Sequence, residues 1–407
     1  MASAISNAGG IGGGTLFLPV LLLILNFYTH EAIPLSKIVI FTGSLSSFLL
    51  NLKLKHPNRN SKALDYNLII LICPNLLFGT ILGVTLNKIL PNLIIIFLLT
   101  ILLFYNTYKT TLMGIKQYNE ENENENILNT NNNLNKNSSK DQINNNNFIN
   151  NSNNNLNLNN DNQFDPILNE INKEIEKDNF FLRWDKLKFV IIPFLVMAFL
   201  SILRETTRLV PKCSFLYWFI FISFFIFALI INYISYLHVQ HEYNYRTSIG
   251  FPYDEKDIKW SFSQSISIAL IGLISGFIAG TIGIGGGVVL GPILLSYGIF
   301  PVVSTVTTNF LVLLTSSSTS LQFILSGMMN YQYAFVSIIF SVLGSYVGTK
   351  IIHHYFKKSG RQSLLIFALV LVIGSSALIL PISSVISTLD DIEKGMDIFR
   401  FNSPCYN

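Results

Sequence analysis

Three consecutive glycines occur twice in this chain of 407 residues, as Gly12, Gly13 and Gly14 and again as Gly285, Gly286 and Gly287. Three adjacent residues without side chains break a helix rather than tighten it. Where a helix restarts, its free N–H groups carry partial positive charge, and the lack of Cβ atoms lets a tetrahedral or pyramidal oxyanion approach closely. The chemistry on offer is reversible binding of a small anion, with no covalent step. No Gly-Lys-Ser or Gly-Lys-Thr follows either run, so neither is a nucleotide phosphate loop.

A hydroxyl-rich segment follows each run: Ser36, Thr42, Ser44, Ser46 and Ser47 in one, and Thr305, Thr307, Thr308, Thr315, Ser316, Ser317, Ser318 and Thr319 with Asn309 in the other. An offset of 273 residues aligns the glycine runs and pairs Ser36 with Asn309 and Ser44 with Ser317. So many polar groups in charge-free helices suggest a hydrated, neutral pathway, although a single hydroxyl commonly bonds a carbonyl of its own helix. Lys37 is the informative charge, because a cation within a membrane can attract an anion. Its stem equally suits snorkelling to the interface. The expected substrate-binding set is Gly12, Gly13, Gly14, Ser36, Lys37, Ser44, Gly285, Gly286, Gly287, Asn309, Thr315, Ser316 and Ser317.

Other chemistries lack their residues. Nucleophile-elbow and zinc-protease patterns are absent, and the membrane core has no carboxylate to act as acid or base, so no enzyme is expected. His238 and His241, followed by Glu242, sit at helical spacing for a shared metal, but six scattered histidines are too few for a membrane iron cluster. Neither a metal nor a cofactor is expected. Cys73, Cys213 and Cys405 are too scattered for a disulfide framework or a zinc cluster. Gly272, Gly276 and Gly280, four apart, read as close helix packing, and Arg204 and Glu205 read as a mutual pair.

The elements that must position these residues follow from charge. Only 12% of the chain is charged, and residues 260–349 contain no Asp, Glu, Lys, Arg or His. A soluble fold carries roughly a quarter charged residues, so a water-soluble globular protein is excluded. Charge-free stretches long enough to span hydrocarbon recur, and they do not alternate as barrel strands do. The fold class expected is all-α, a polytopic helical membrane protein. About eleven hydrophobic segments are expected, near residues 15–28, 32–51, 66–87, 92–112, 187–203, 214–237, 262–281, 287–299, 301–325, 331–350 and 362–382. The segments after the glycine runs are too short to cross, and such paired, interrupted segments point to a midplane transport site.

Residues 10–19 align without gaps on 283–292, six of ten being identical, which marks an internal duplication. The basic loop with Lys53, Lys55, Arg59 and Lys62 follows the second helix of the first half. In the second half the basic loop, with Lys350, Lys357, Lys358 and Arg361, comes one helix later. Basic loops face the cytoplasm, so the two copies should be inverted, with both loops on that side. The chain divides into a first repeat over 1–113, an Asn-rich disordered cytoplasmic loop over 114–186, two connecting helices over 187–261, a second repeat over 262–382 and a tail over 383–407. Asparagine supplies 23 of the 44 residues from 119 to 162, a composition that cannot bury enough to order itself. No apolar helix precedes the first glycine run as residues 262–282 precede the second, so a leading helix is expected to be missing from this sequence.

The two halves resemble the sulfite exporter TauE/SafE family. The resemblance rests on Gly-Ile-Gly-Gly-Gly-Thr-Leu-Phe-Leu-Pro (10–19), Glu-Ala-Ile-Pro-Leu-Ser-Lys (31–37), His-Pro-Asn-Arg (56–59) and Asp65-Tyr66. In the second half it rests on Gly-Thr-Ile-Gly-Ile-Gly-Gly-Gly (280–287), Gly-Pro (291–292), Thr-Thr-Asn (307–309) and Thr-Ser-Ser-Ser (315–318). It implies transport of sulfur oxyanions or organosulfonates. The expectation is a multi-pass transporter moving a small sulfur-containing anion by alternating access. Its partners are the lipid bilayer and the anion, without nucleic acid, and a homo-oligomer is left open. The alternatives are a transporter or channel for another small ion, or a membrane receptor or scaffold without flux.

Overall fold

The computed structural model describes residues 17–18, 21, 27, 29–59, 61–141, 161–179, 183–205, 210–211, 214–254, 257–359, 361 and 363–393. Among them lie eleven helices: α1 (Thr29–Asn51), α2 (Tyr66–Ile89), α3 (Asn92–Asp141), α4 (Asp161–Asn179), α5 (Trp184–Glu205), α6 (Phe215–Ser248), α7 (Phe262–Ile282), α8 (Gly287–Ser296), α9 (Pro301–Leu325), α10 (Tyr331–Ser359) and α11 (Ser363–Glu393). The β pairing among the described residues is a single bridge between Lys55 and Lys62. Among the described residues, seven helices are long and apolar enough to cross a membrane. Local chemistry sets several boundaries. Asp65 caps α2 by accepting from the N–H groups of Asn67 (2.9 Å) and Leu68 (3.2 Å). Ser214 and Ser261 cap α6 and α7 in the same way, and Pro301 opens α9, where its missing N–H costs nothing.

Helix α2 is buried on every side, as expected of a helix that is apolar all round. Its closest neighbour is α7, and the glycines explain how close. A Cβ on Gly272 would lie 2.8 Å from the Ile72 carbonyl, and one on Gly280 would lie 2.6 Å from that of Thr80. One on Gly276 would collide with the Leu76 carbonyl, while Gly79 and Gly83 meet the α7 backbone likewise. The backbones touch because no side chain separates them. Large apolar side chains such as Phe97, Phe219 and Phe340 instead face outward from α3, α6 and α10.

Pairing directions establish the inversion. Val39 and Ser47 of α1 meet Ser341 and Thr349 of α10, so these two helices run parallel. The Asp65 N–H and Thr80 meet Thr307 and Ser318, so α2 and α9 also run parallel. Helices α3 and α11 run antiparallel, with Glu121 on Ser363 and Thr107 beside Gly374. Since α1, α2 and α3 correspond in sequence to α9, α10 and α11, every equivalent helix is reversed. The basic loops after α1 and after α10 accordingly lie at the same end.

The segment read as wholly disordered contains ordered helix. Helix α3 continues past residue 112 to Asp141, and residues 161–179 form α4. Side-chain pairs four apart support the continuation: Lys116 faces Glu120, Gln117 donates to Glu121, and Glu121 then holds the N–H and hydroxyl of Ser363. Residues 142–160 lie outside the described residues, as does most of the helix expected near 15–28, of which Phe17, Leu18 and Leu21 are helical. Helices α6 and α10 extend well beyond their apolar stretches, to Ser248 and Ser359, and α11 runs into the expected tail, to Glu393.

Candidate functional site

The second glycine run sits where α7 stops and α8 restarts. Gly283 ends α7 in the left-handed conformation, at φ 85°, and a Cβ there would lie 2.8 Å from Ile33. Both the backbone and the close approach of α1 therefore require glycine. Helix α8 has ten residues, about 15 Å, too short to cross. Gly285, Gly286 and Gly287 are buried, and no side chain caps α8. Among the described residues, no carbonyl accepts from their three N–H groups.

Ser36 and Lys37 of the first half dock onto this turn of the second. Ser36 Oγ donates to Ile33 (2.7 Å) and lies 3.1 Å from the Gly283 carbonyl. Lys37 is fully buried. Its Nζ donates to the carbonyls of Ala279 (2.6 Å) and Ile284 (2.9 Å). The ammonium thus caps the negative end of α7, the favourable end for a cation, and it does not snorkel to the interface.

On α9, Thr315 stands against Gly286, where an added Cβ would lie 3.4 Å from its Cγ2 and 3.6 Å from its Oγ1. Thr315 is fourteen residues from Pro301 and ten from Leu325, so the contact lies about 21 Å and about 15 Å from the two helix ends. This is close to the middle of the helix. The hydroxyl of Thr315 donates to Val312, that of Ser316 to Val312, that of Ser317 to Leu314 and that of Ser44 to Phe41. Their protons are thereby committed to their own helices. Asn309 is different: it is fully buried, and among the described residues neither its amide nitrogen nor its oxygen has a partner.

The structure therefore brings together Ser36, Lys37, Gly285, Gly286, Gly287 and Thr315. Asn309, Ser316 and Ser317 share α9 with Thr315, Ser317 only half-buried, and Ser44 stands two turns along α1 from Lys37. Gly12, Gly13 and Gly14 lie outside the described residues. The side chains that hold the turn were legible as types, but the acceptor carbonyls of Ala279 and Ile284 carry no sequence signal.

A second polar constellation, which the spacing of residues did not announce, lies at the end of the basic loops. A cavity of about 90 Å³ is lined there by His56, Arg59, Asp65, Asp178, Arg183, Lys186, Arg246 and Asp257 among others. Burial, aided by the charge of Arg59, pushes the His56 imidazole down to about 4, so it is neutral near pH 7. Burial likewise raises the carboxyls of Asp65 and Asp257. One ligand atom each of His56, Asp254 and Asp257 lie within 4.8 Å of one another. Arg59 already holds this place, with Nη2 at 2.6 Å and 2.7 Å from the Asp257 oxygens. Glu242, adjacent in sequence to His241, is engaged by Arg183, Lys186 and Arg246. At the opposite end Arg204 and Glu205 do pair, at 2.9 Å, and Lys88 joins them.

Comparison with known proteins places the chain in a family. The sulfite exporter TauE/SafE family model matches residues 1–137 and 177–378. The chain belongs to that family. Sulfite exporter TauE/SafE family protein 1 of Arabidopsis thaliana is 28% identical over 415 residues, covering 99% of this chain and 86% of its own length. Family protein 2 of the same plant is 27% identical over 415 residues, covering 100% and 85%, and family protein 3 is 26% identical over 394 residues, covering 96% and 78%. No solved structure gives a significant match. Family membership and the apolar helices together make this an integral, multi-pass membrane protein.

Proposed function

We propose that this TauE/SafE family member transports a small sulfur-containing oxyanion, of the sulfite or sulfonate class, by alternating access between its inverted halves. The observation that carries the reading is the row of buried N–H groups of Gly285, Gly286 and Gly287, which have no acceptor among the described residues. A buried unpaired N–H is costly, and three in succession at a helix start are the arrangement that binds an anion. Asn309 adds a buried amide without a partner among the described residues. Lys37 stands beside the turn with two of its donors held by carbonyls. Backbone dipoles with a single nearby cation bind weakly enough to release, which suits transport. The word sulfur comes from the names of the relatives.

The test is flux in proteoliposomes loaded with sulfite, chloride or nitrate at equal ionic strength. Saturable sulfite-dependent flux is expected. Equal flux of all three anions would make the protein an unselective pathway, and binding without flux would make it a receptor.

A further inference from the structure

Helix α4 is attached to the rest of the fold by charge. Among the described residues no helix packs extensively along it, yet its carboxylates reach the adjoining ends of α5 and α6. Asp178 accepts from both terminal nitrogens of Arg246, at 2.8 Å and 2.9 Å, and from Arg183 Nη1 at 2.8 Å. Glu174 meets Arg246 at 3.3 Å. Lys186 completes the basic set, with Nζ 2.6 Å from Glu242 and 2.5 Å from Asn67 Oδ1. Arg183, Lys186 and Arg246 are each more than nine-tenths buried, and among the described residues the Nε of Arg246 has no acceptor.

Two guanidiniums converging on one carboxylate form a fork that fits a tetrahedral oxyanion equally well. Space for the exchange exists, because Asp178, Arg183, Lys186 and Arg246 all line the 90 Å³ cavity, room for about three waters. The cavity wall includes Asp65 and Val303, and the Asp65 N–H donates to Thr307 Oγ1 at 3.2 Å, at the start of the hydroxyl-rich α9. Burial opposes charge on Asp178, but the hydrogen bond and charge of Arg246 outweigh it and hold the carboxyl below its ordinary range. With Glu174 and Asp178 in place, the three cations are outnumbered. When these two leave, Arg59, Lys62, Arg183, Lys186 and Arg246 of the cavity wall face Asp65, Asp257, Glu242 and Asp185, so an incoming anion meets net positive charge.

We propose that Arg183, Lys186 and Arg246 form a second anion site at the loop-side mouth of the protein, for which Asp178 of α4 is the built-in occupant. A tetrahedral oxyanion of the sulfate or phosphate class, free or carried on a lipid headgroup, replaces the carboxylate and releases α4. That this mouth opens onto a transport pathway rests on the function proposed above; the exchange of Asp178 for an anion does not.

The test is hydrogen exchange over residues 161–179 of the full chain in detergent micelles, titrated with sodium sulfate against sodium chloride at fixed ionic strength. Sulfate is expected to speed exchange in α4 about tenfold over chloride, a shift of about 1.4 kcal/mol in local opening. Asp178→Asn should exchange quickly without sulfate and bind sulfate about tenfold more tightly by titration calorimetry, while Arg246→Gln should lose the sulfate response. In nanodiscs free of sulfate, a response to phosphatidylinositol phosphate but not to phosphatidylcholine would extend the site to headgroups. If sulfate and chloride act alike on the wild-type chain and Asp178→Asn binds sulfate no better, the site is overturned. Sulfite flux is scored separately: a sulfate response without flux keeps this site and defeats the transport reading, and flux without a response does the reverse.

Discussion

Lys37 Nζ lies 2.6 Å from the carbonyl of Ala279, so a side chain of the first half caps the last turn of the helix that leads the second. A bond to Ile284 at 2.9 Å extends the tie across the glycine turn. Replacing Lys37 by Met keeps the length of the side chain and removes both donors. Each charge-assisted hydrogen bond contributes about 1.5–3 kcal/mol, so Lys37→Met should lower stability by about 3 kcal/mol or more, read as thermal unfolding in detergent. Lys37→Gln should weaken anion transport together with stability. A Lys37→Met protein with weakened anion binding but unaltered unfolding would show that the ammonium serves the substrate alone.

Two glycine substitutions of identical chemistry should fail in different ways. Gly276→Ala drives a methyl into the Leu76 carbonyl and must separate α2 from α7. Overpacking of this kind costs about 1–3 kcal/mol, so expression and unfolding temperature should both fall. Gly286→Ala places its methyl 3.4 Å from Thr315 Cγ2, ordinary contact distance, on backbone with φ −56° that alanine adopts freely. The protein should fold normally and lose affinity for sulfite, because the methyl stands where an anion would meet the N–H groups. A Gly286→Ala protein with unchanged flux constants would remove the turn from the site.

The helices were legible because their signals are local: α9 begins at Pro301 and ends at Leu325 as its sequence implies, and the four-residue spacing of Gly272, Gly276 and Gly280 implied close helix packing, for which the structure supplies α2 as the partner. The inversion was legible from where the basic loops fall. The role of Lys37 was not, since its partners are backbone carbonyls some 240 residues away, and any residue presents a carbonyl. Helix α4 was missed for a related reason. Its Asn-rich flank reads as unable to build a core, whereas the helix is held by Glu174 and Asp178 against Arg246 and Arg183.

Asn309 permits a prediction whose sign separates function from stability. Its amide is fully buried with neither atom partnered, and an unsatisfied buried polar group costs about 1–3 kcal/mol. Asn309→Leu keeps the volume approximately and removes the cost, so the unfolding temperature should hold or rise. Sulfite affinity in the same protein should fall about tenfold, the equivalent of about 1.4 kcal/mol. Lower stability with unchanged transport would instead mean that the amide supports the fold.

His56 should make the loop-side end sensitive to acid. Its Nε2 lies 3.2 Å from Arg59 Nη2, its Nδ1 faces the Asn58 N–H, and its ring stands edge-on to Phe300. Arginine only donates, so a proton on Nε2 would point at a cation. Burial and Arg59 accordingly hold the imidazole down to about 4, against about 6.5 in an unfolded chain. Between these values the unfolded state binds the extra proton, so stability falls as pH drops from about 6.5 and levels off below about 4. The loss between about pH 7 and about pH 5 should be about 2 kcal/mol. Unfolding of the wild-type chain and of His56→Phe at the two pH values checks it. The wild-type chain should lose more stability than His56→Phe, and an equal loss in both would mean that His56 takes up its proton in the folded state.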